Sequence, residues 1–154
     1  MTPVHLLLVD DEQAFAETLA RRLVGRGYRA AYVLSGEEAL RFLNENKSID
    51  VVLLDVKMPG LDGLETLRRI KAKHLLVETI MLTAHATIPT AVEALRLGAR
   101  DYLIKPCDFA ELADKVEAAA RLKGERESKI LDVHARPYIT SREKEDLIAA
   151  ILAS

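Results

Sequence analysis

Residues 51–63 read VVLLDVKMPGLDG. Four apolar residues come without a polar break and end at the carboxylate of Asp55, shortly before a Pro-Gly pair that favours a turn. Residues 5–12, HLLLVDDE, repeat the arrangement, because their apolar run ends at Asp10 and Asp11. Continuous apolar runs of this length are typical of strands covered on both faces. The two stretches therefore predict buried strands that carry carboxylates at their ends.

Five short apolar runs alternate with amphipathic stretches, a pattern that indicates an α/β fold around a parallel sheet. The second run is diluted by Arg29, which favours a position near an edge of the sheet. Right-handed crossovers place helices on both faces of one open, doubly wound sheet. The predicted strands are residues 5–9, 28–33, 51–54, 79–82 and 102–104.

Helix boundaries are marked by capping residues and glycines. Ser35 is predicted to cap the second helix, because two acids follow it in the first turn, and Asp62 is predicted to cap the third. The fifth helix is expected to begin near Asp108. Gly27 and Gly98 stand where helices should stop before the next strand.

Composition excludes several classes of protein. The 154 residues carry a formal net charge of −2, so no global basic field favours binding to DNA or to an anionic membrane. The single Cys107 cannot form an internal disulfide, and the sequence has neither a membrane span nor a signal peptide, which favours the cytoplasm. We expect no metal role for His5, His74 or His134.

Polar residues at the predicted strand ends should lie close together, because the carboxyl ends of parallel strands meet at one edge of the sheet. Ligands of open α/β sheets bind beyond this edge. Asp10 and Asp11 end the first strand, Asp55 the third, Thr83 the fourth and Lys105 the fifth. Three carboxylates repel one another and require cations. An oxygen-only site suits Mg²⁺, which together with the lysine would hold a phosphoryl group for attack by a carboxylate.

Four motifs together resemble the receiver domains of two-component response regulators. The resemblance covers about residues 4–122, and it implies a flavodoxin-like (βα)5 fold with strand order 2-1-3-4-5. The motifs are VDDE at 9–12, LLDVKMPGLDG at 53–63, LTAH at 82–85 and DYLIKP at 101–106.

The resemblance also implies a role for each residue of the acidic site. Asp55 would be the phospho-acceptor, and Lys105, before a cis proline, would pair with the phosphoryl oxygens. Asp11 and Asp55 would bind Mg²⁺ directly, Asp10 mainly through water, and the backbone carbonyl of Lys57 would be a further ligand.

Four residues around that site would control the signal. Thr83 and Tyr102 resemble the family's switch pair, in which the hydroxyl moves to the phosphoryl group and the ring turns inward. Lys57 and His85, each two residues beyond a site residue, occupy positions that tune dephosphorylation. The output surface would be the face built by the fourth helix, the fifth strand and the fifth helix.

We predict a receiver domain over residues 1–122 and a C-terminal extension over 123–154, consisting of a linker and a short amphipathic helix. From Gly124 the chain either extends the fifth helix or forms the linker. A capping box at 140–143 precedes an apolar stripe that needs a partner: its own domain, a second copy or another protein. The extension is too short and too balanced in charge for a DNA-reading domain. The stripe consists of Leu147, Ile148, Ile151 and Leu152.

The leading functional hypothesis is a signalling module that takes a phosphoryl group from a sensor histidine kinase onto Asp55 and changes its protein-binding face. It would assist only its own phosphorylation and dephosphorylation, so it would not be an enzyme with a separate substrate. Two alternatives remain: a phosphorelay intermediate that passes the group to a histidine phosphotransfer protein, and a small Mg²⁺-dependent aspartyl phosphatase. Lys57 argues against the phosphatase, which needs a second carboxylate two residues after its nucleophile.

Overall fold

A computed structural model describes residues 3–154, which form one five-stranded parallel sheet with helices on both of its faces. The strand order 2-1-3-4-5 and the position of the second strand at an edge are both as predicted. The strands are β1 (His5–Val9), β2 (Arg29–Val33), β3 (Val51–Leu54), β4 (Glu78–Thr83) and β5 (Asp101–Ile104). The helices are α1 (Gln13–Gly25), α2 (Gly36–Glu45), α3 (Gly63–Lys73), α4 (Ile88–Arg96), α5 (Phe109–Ala135) and α6 (Ser141–Ala153).

The core lies in two layers, one on each face of the sheet. Successive residues of β1 enter opposite layers: Leu7 and Val9 pack with the layer that includes residues of α2 and α3, whereas Leu6 and Leu8 pack with residues of α1 and α5. Because both faces are covered, every residue of β3 and β4 is buried. This double burial explains why the strands read as continuous apolar runs.

Side-chain caps fix the helix starts near the sheet's carboxyl edge. Ser35 Oγ accepts a hydrogen bond from the backbone N–H of Glu38 at 3.2 Å, and Asp62 Oδ1 accepts one from Glu65 at 2.8 Å. Both caps confirm the sequence prediction. Gly63 allows α3 to begin against the end of β3, because a Cβ at that position would lie 2.0 Å from the carbonyl oxygen of Asp55.

The C-terminal helices pack on the chain itself. α5 continues through Gly124 to Ala135, so the chain from Gly124 extends the fifth helix and does not form a linker. Residues 136–140 connect α5 to α6. Thr140 Oγ1 accepts a hydrogen bond from the backbone N–H of Glu143 at 3.1 Å, so Thr140 is the N-cap that the capping-box pattern indicated. The boundary at residue 122 remains a prediction. Within residues 3–154, no helix is both long enough and apolar enough to cross a bilayer.

A buried ion-pair cluster joins the extension of α5 to the amino-terminal edge of the sheet. Glu78, at the start of β4, is fully buried, and its carboxylate lies 2.8 Å from Arg126 Nη1 and 3.2 Å from Arg100 Nε. Arg126 also donates to the backbone oxygen of Ser154 at 2.5 Å. The cluster therefore ties both C-terminal helices to β4, at the edge opposite the acidic residues.

Candidate functional site

Three aspartates meet at the carboxyl edge of the sheet, as the sequence predicted. A carboxylate oxygen of Asp10, one of Asp11 and one of Asp55 lie within 4.8 Å of one another. Asp10 and Asp55 are buried, with 4% and 2% of their surface exposed, whereas Asp11 faces solvent. The backbone N–H of Asp55 donates to the carbonyl oxygen of Val9 at 3.0 Å, so the pairing of β1 with β3 brings these acids together.

The side chain of Lys105 places its ammonium group among these acids. Its Nζ lies 2.6 Å from Asp10 Oδ2, 3.6 Å from Glu12 Oε1 and 3.9 Å from Asp55 Oδ2. The same Nζ stands 3.9 Å from the ring centroid of Phe15, the geometry of a cation–π contact. The peptide bond between Lys105 and the following proline is cis, in agreement with the resemblance.

Burial and hydrogen bonding act in opposite directions on Asp10. Burial raises the pKa of this carboxyl above its usual value, while hydrogen bonds from Lys105 and from the backbone N–H of Glu12, at 2.9 Å, oppose the rise. The carboxylate of Asp55 has a weaker local donor, since the backbone N–H of Lys57 is 3.4 Å from its Oδ1. The carboxylate of Asp55 is therefore held by a weaker hydrogen bond than that of Asp10.

The donor set fits a hard divalent cation. Asp10, Asp11 and Asp55 place three carboxylates together, and the ammonium of Lys105 lies within 4 Å of two of them, which leaves an uncompensated negative charge. All the acidic ligands are oxygen atoms, and Asp11 opens to solvent, so protein oxygens and waters can share the coordination shell as Mg²⁺ prefers. The residues present therefore fit magnesium.

The acidic cluster opens into a cavity large enough for a phosphoryl group and its waters. This cavity, of about 430 Å³, is lined by Asp11, Glu12, Lys57 and His85, with Met58 and Pro59 on one side. Lys57 and His85 also line an adjoining cavity of about 480 Å³ that extends to the start of α4. Both exposed side chains thus stand at the mouth of the site, where a residue could control the access of water.

Thr83 and Tyr102 lie on neighbouring strands next to the acids. Thr83 is fully buried at the end of β4, and its Oγ1 accepts a hydrogen bond from the backbone N–H of His85 at 3.0 Å. Tyr102 is half-buried in β5, and its hydroxyl lies 2.9 Å from Thr90 Oγ1. The tyrosine is therefore tied to the first turn of α4. This arrangement places both residues of the predicted switch between the site and α4.

Three contributors were not assigned a role from the sequence. Glu12 belongs to the VDDE motif, so its position in the sequence could have indicated that it lies near Lys105. Phe15 falls at the spacing of the apolar face of α1, which gives no hint that its ring lies beside Lys105, the residue that follows β5. Thr90 belongs to a reciprocal capping box with Thr87, and only the fold shows that its hydroxyl also meets Tyr102.

Comparison with protein families gives one match that covers most of the chain. The family described as the response regulator receiver domain matches residues 6–117. These residues include β2 to β5 and all of β1 except His5, together with the acidic cluster, Thr83 and Lys105, but not the end of α5 or any of α6.

Several curated proteins are similar over the same region. The transcriptional regulatory protein ZraR of Salmonella typhimurium is 43% identical over 116 residues, which cover 75% of this chain and 26% of ZraR. The DNA-binding transcriptional regulator NtrC of Klebsiella pneumoniae is 41% identical over 112 residues, which cover 73% of this chain and 24% of NtrC. The chain thus spans about a quarter of the length of these two relatives.

Solved structures share the fold. A response regulator receiver domain protein from Clostridium thermocellum is 34% identical with a TM-score of 0.76, covering 79% of this chain and 98% of that one. A CheY-like receiver domain protein from Methanospirillum hungatei is 26% identical with a TM-score of 0.76, covering 80% of this chain and 98% of that one.

Proposed function

This chain belongs to the response regulator receiver domain family, and from that premise we propose that Asp55 accepts a phosphoryl group from the phosphohistidine of a sensor histidine kinase. One observation carries the proposal. The buried Asp55 carboxylate shares a site with two other aspartates and with Lys105, whose Nζ is 3.9 Å away, beside a cavity open to solvent. This arrangement supplies a nucleophile and positive charge at one point.

The transfer requires one bond to form and one to break. A carboxylate oxygen of Asp55 bonds to phosphorus while the phosphorus–nitrogen bond of the donor breaks, and the leaving imidazole keeps the electron pair and takes a proton from solvent. Lys105 faces the negative charge that develops on the phosphoryl oxygens. Burial of Asp55 holds its carboxylate rigidly and limits the water around it.

We assign the metal site to Asp11 and Asp55, with Asp10 acting mainly through water and the backbone carbonyl of Lys57 as a further ligand. Magnesium bound there would supply positive charge beside the phosphoryl oxygens. The surplus of carboxylates over ammonium groups supports this assignment, since Lys105 alone leaves the cluster negative.

The signal would pass through Thr83 and Tyr102 to the face formed by α4, β5 and α5. Large apolar side chains are exposed on that face: Ile88 is 82% exposed, Ile104 59%, and Val92 and Leu95 each 52%. Exposed apolar side chains on neighbouring elements suit a protein partner. We therefore propose that this face binds a downstream protein and that the chain assists only its own phosphorylation and dephosphorylation.

A cytoplasmic location, the absence of DNA binding by this chain and a homodimer all remain predictions.

Intact mass measurement tests the proposal directly. Incubation with acetyl phosphate and Mg²⁺ should add ~80 Da to the native chain, and Asp55→Asn should abolish the adduct. Asp62→Asn is the matched control, because Asp62 also ends a loop near the site but serves as the N-cap of α3. This variant should still be phosphorylated on Asp55. An unmodified native chain, or an adduct that survives in Asp55→Asn, would contradict the assignment.

The same preparation separates the two alternatives. Transfer of the label from the phosphorylated chain to a histidine phosphotransfer protein would indicate a relay intermediate. Repeated release of phosphate from added phosphoesters would indicate a phosphatase. Lys57 argues against the latter, because a lysine side chain stands where a second carboxylate would be needed.

A further inference from the structure

A second cavity lies at the opposite edge of the sheet, between the (βα)5 part of the chain and the C-terminal helices. This groove has a volume of about 560 Å³ and is lined by Leu43 of α2, by Val77 next to β4, by Ile130 of α5 and by Ile148 and Leu152 of α6. Sites for small molecules fall in the range of roughly 300–1,000 Å³ and are mostly apolar. The groove has the size and the lining of such a site.

Apolar surface at this groove is left uncovered by the chain. Leu75 and Leu131 line it and are 56% and 68% exposed. The apolar stripe of α6 is covered only in part, because Ile148 and Leu152 are half-buried and α6 has no fully buried residue. Packing of α6 against α5 alone therefore leaves apolar surface that an occupant would remove from water.

The polar groups that line the groove are predominantly cationic. Lys123 is neutralised by Asp50, at 2.9 Å, and by Glu127. Lys47 and Lys73 also line the groove, and neither makes an ion pair within residues 3–154. These two lysines are free to meet an anion.

His74 adds an unsatisfied polar atom at the same place. Its Nε2 is buried and has no hydrogen-bond partner in the described part of the chain. Burial lowers the pKa of this imidazole, and the neighbouring Lys47 and Lys73 lower it further, so the ring is neutral at pH 7. Buried polar atoms in proteins nearly always have a partner, so this atom can accept or donate a hydrogen bond to a water or to a polar group of an occupant.

We propose that this groove binds a small organic carboxylate with an apolar body of medium length. The carboxylate would meet the ammonium groups of Lys47 and Lys73, and the apolar body would lie against the leucines and isoleucines of the groove. Charge complementarity favours an anion over a neutral or cationic molecule, and the volume lies within the range of small-molecule sites. The proposal does not depend on phosphorylation of Asp55.

Isothermal titration calorimetry of the full chain with octanoate tests the proposal. Octanoate should bind saturably, whereas octan-1-ol should bind more weakly because it lacks the charge, and acetate should not bind because it lacks the apolar body. The double substitution Lys47→Gln with Lys73→Gln should weaken octanoate binding roughly tenfold, the effect of losing charge-assisted hydrogen bonds. Lys129→Gln is the matched control, because Lys129 is also exposed but does not line this groove.

Leu131→Ser tests the apolar part separately, at a position whose exposure makes a folding defect unexpected. It should weaken octanoate binding, because it removes apolar surface from the groove. Equal binding of octanol and octanoate, equal loss in Lys129→Gln and in the double variant, or no saturable heat up to ~5 mM octanoate would each overturn the proposal. No phosphoryl donor is present, so the outcome is separate from that of the mass experiment on Asp55.

Discussion

Lys105 donates its shortest hydrogen bond to Asp10, at 2.6 Å, across 95 positions of sequence. The distance from the same Nζ to Asp55 is 3.9 Å, so without a phosphoryl group the lysine is held by the neighbour of the proposed phospho-acceptor. The ammonium therefore has two tasks. It lowers the repulsion among the acids, and it stays within reach of Asp55.

Lys105→Met separates these two tasks, because it removes the charge and keeps most of the side-chain length. We expect acetyl phosphate to modify this variant far more slowly, since the developing charge loses its cation. We also expect Mg²⁺ to bind a few-fold more tightly, because a positive charge no longer competes for the acids. Calorimetric titration with Mg²⁺ measures the second effect, with Lys129→Met as control. Weaker Mg²⁺ binding would show that Lys105 orients the acids instead of competing with the ion.

The raised pKa of Asp10 predicts how stability changes with pH. The folded carboxyl holds its proton more readily than the unfolded one, so ionisation of Asp10 costs stability as the pH rises through its pKa. Without Mg²⁺, Asp10→Asn should raise the free energy of unfolding at pH 7, and the gain should vanish below the pKa of an unfolded aspartate.

Urea unfolding in EDTA at a series of pH values checks this prediction. With saturating Mg²⁺ the order should reverse, because the ion binds the native acids more tightly than the variant, which keeps Asp11 and Asp55 but lacks the Asp10 carboxylate. Asp62→Asn is a suitable control, since Asp62 is exposed and caps α3. A variant that is less stable than the native chain at pH 7 in EDTA would mean that the hydrogen bond from Lys105 outweighs the cost of burial.

Phe15 is predicted to position Lys105 through its ring. Phe15→Leu keeps an apolar side chain but removes the cation–π contact at 3.9 Å, so phosphorylation by acetyl phosphate should slow by roughly three- to tenfold. Phe15→Tyr should retain the native rate, because the ring remains. Phe109→Leu removes a comparable contact with Arg22, at 4.2 Å from the ring, and should leave the rate unchanged. If leucine and tyrosine at position 15 behaved alike, the ring would have no role beyond packing.

Much of the fold and of the acidic site could be predicted from the sequence because the information is local. Continuous apolar runs marked the strands, and each site residue stood directly after a run. The partners of Lys105 were harder to predict, because its contact with Phe15 joins α1 to the residue after β5 across the carboxyl edge of the sheet, and no local pattern marks that contact. Nothing in the sequence predicts that Glu78 is buried in an ion pair. It stands one residue before the predicted start of β4, where a charged residue is expected to lie in an exposed loop. Only packing of α5 brings Arg126 onto it.

Arg126 is predicted to be the main tie between the C-terminal extension and β4. Arg126→Met leaves the fully buried Glu78 with Arg100 and the more distant Lys71, whose Nζ is 3.9 Å away. Breaking a buried pair at one partner typically costs about 3–5 kcal/mol. We expect a loss near the lower end of that range, because Glu78 keeps Arg100. Urea unfolding measures the loss, and Arg121→Met, an exposed arginine of the same helix, is the control.

The double variant Arg126→Met with Glu78→Gln distinguishes loss of the charge pair from loss of packing. Glutamine removes the buried charge, so the double variant should recover a large part of the stability that Arg126→Met loses. Hydrogen exchange should show faster opening of α6 in Arg126→Met, because Arg126 also holds the backbone oxygen of Ser154, and slow exchange should persist in β1 and β3. Unchanged protection of α6 would mean that its contacts with α5 are sufficient to hold it, without the tie to β4.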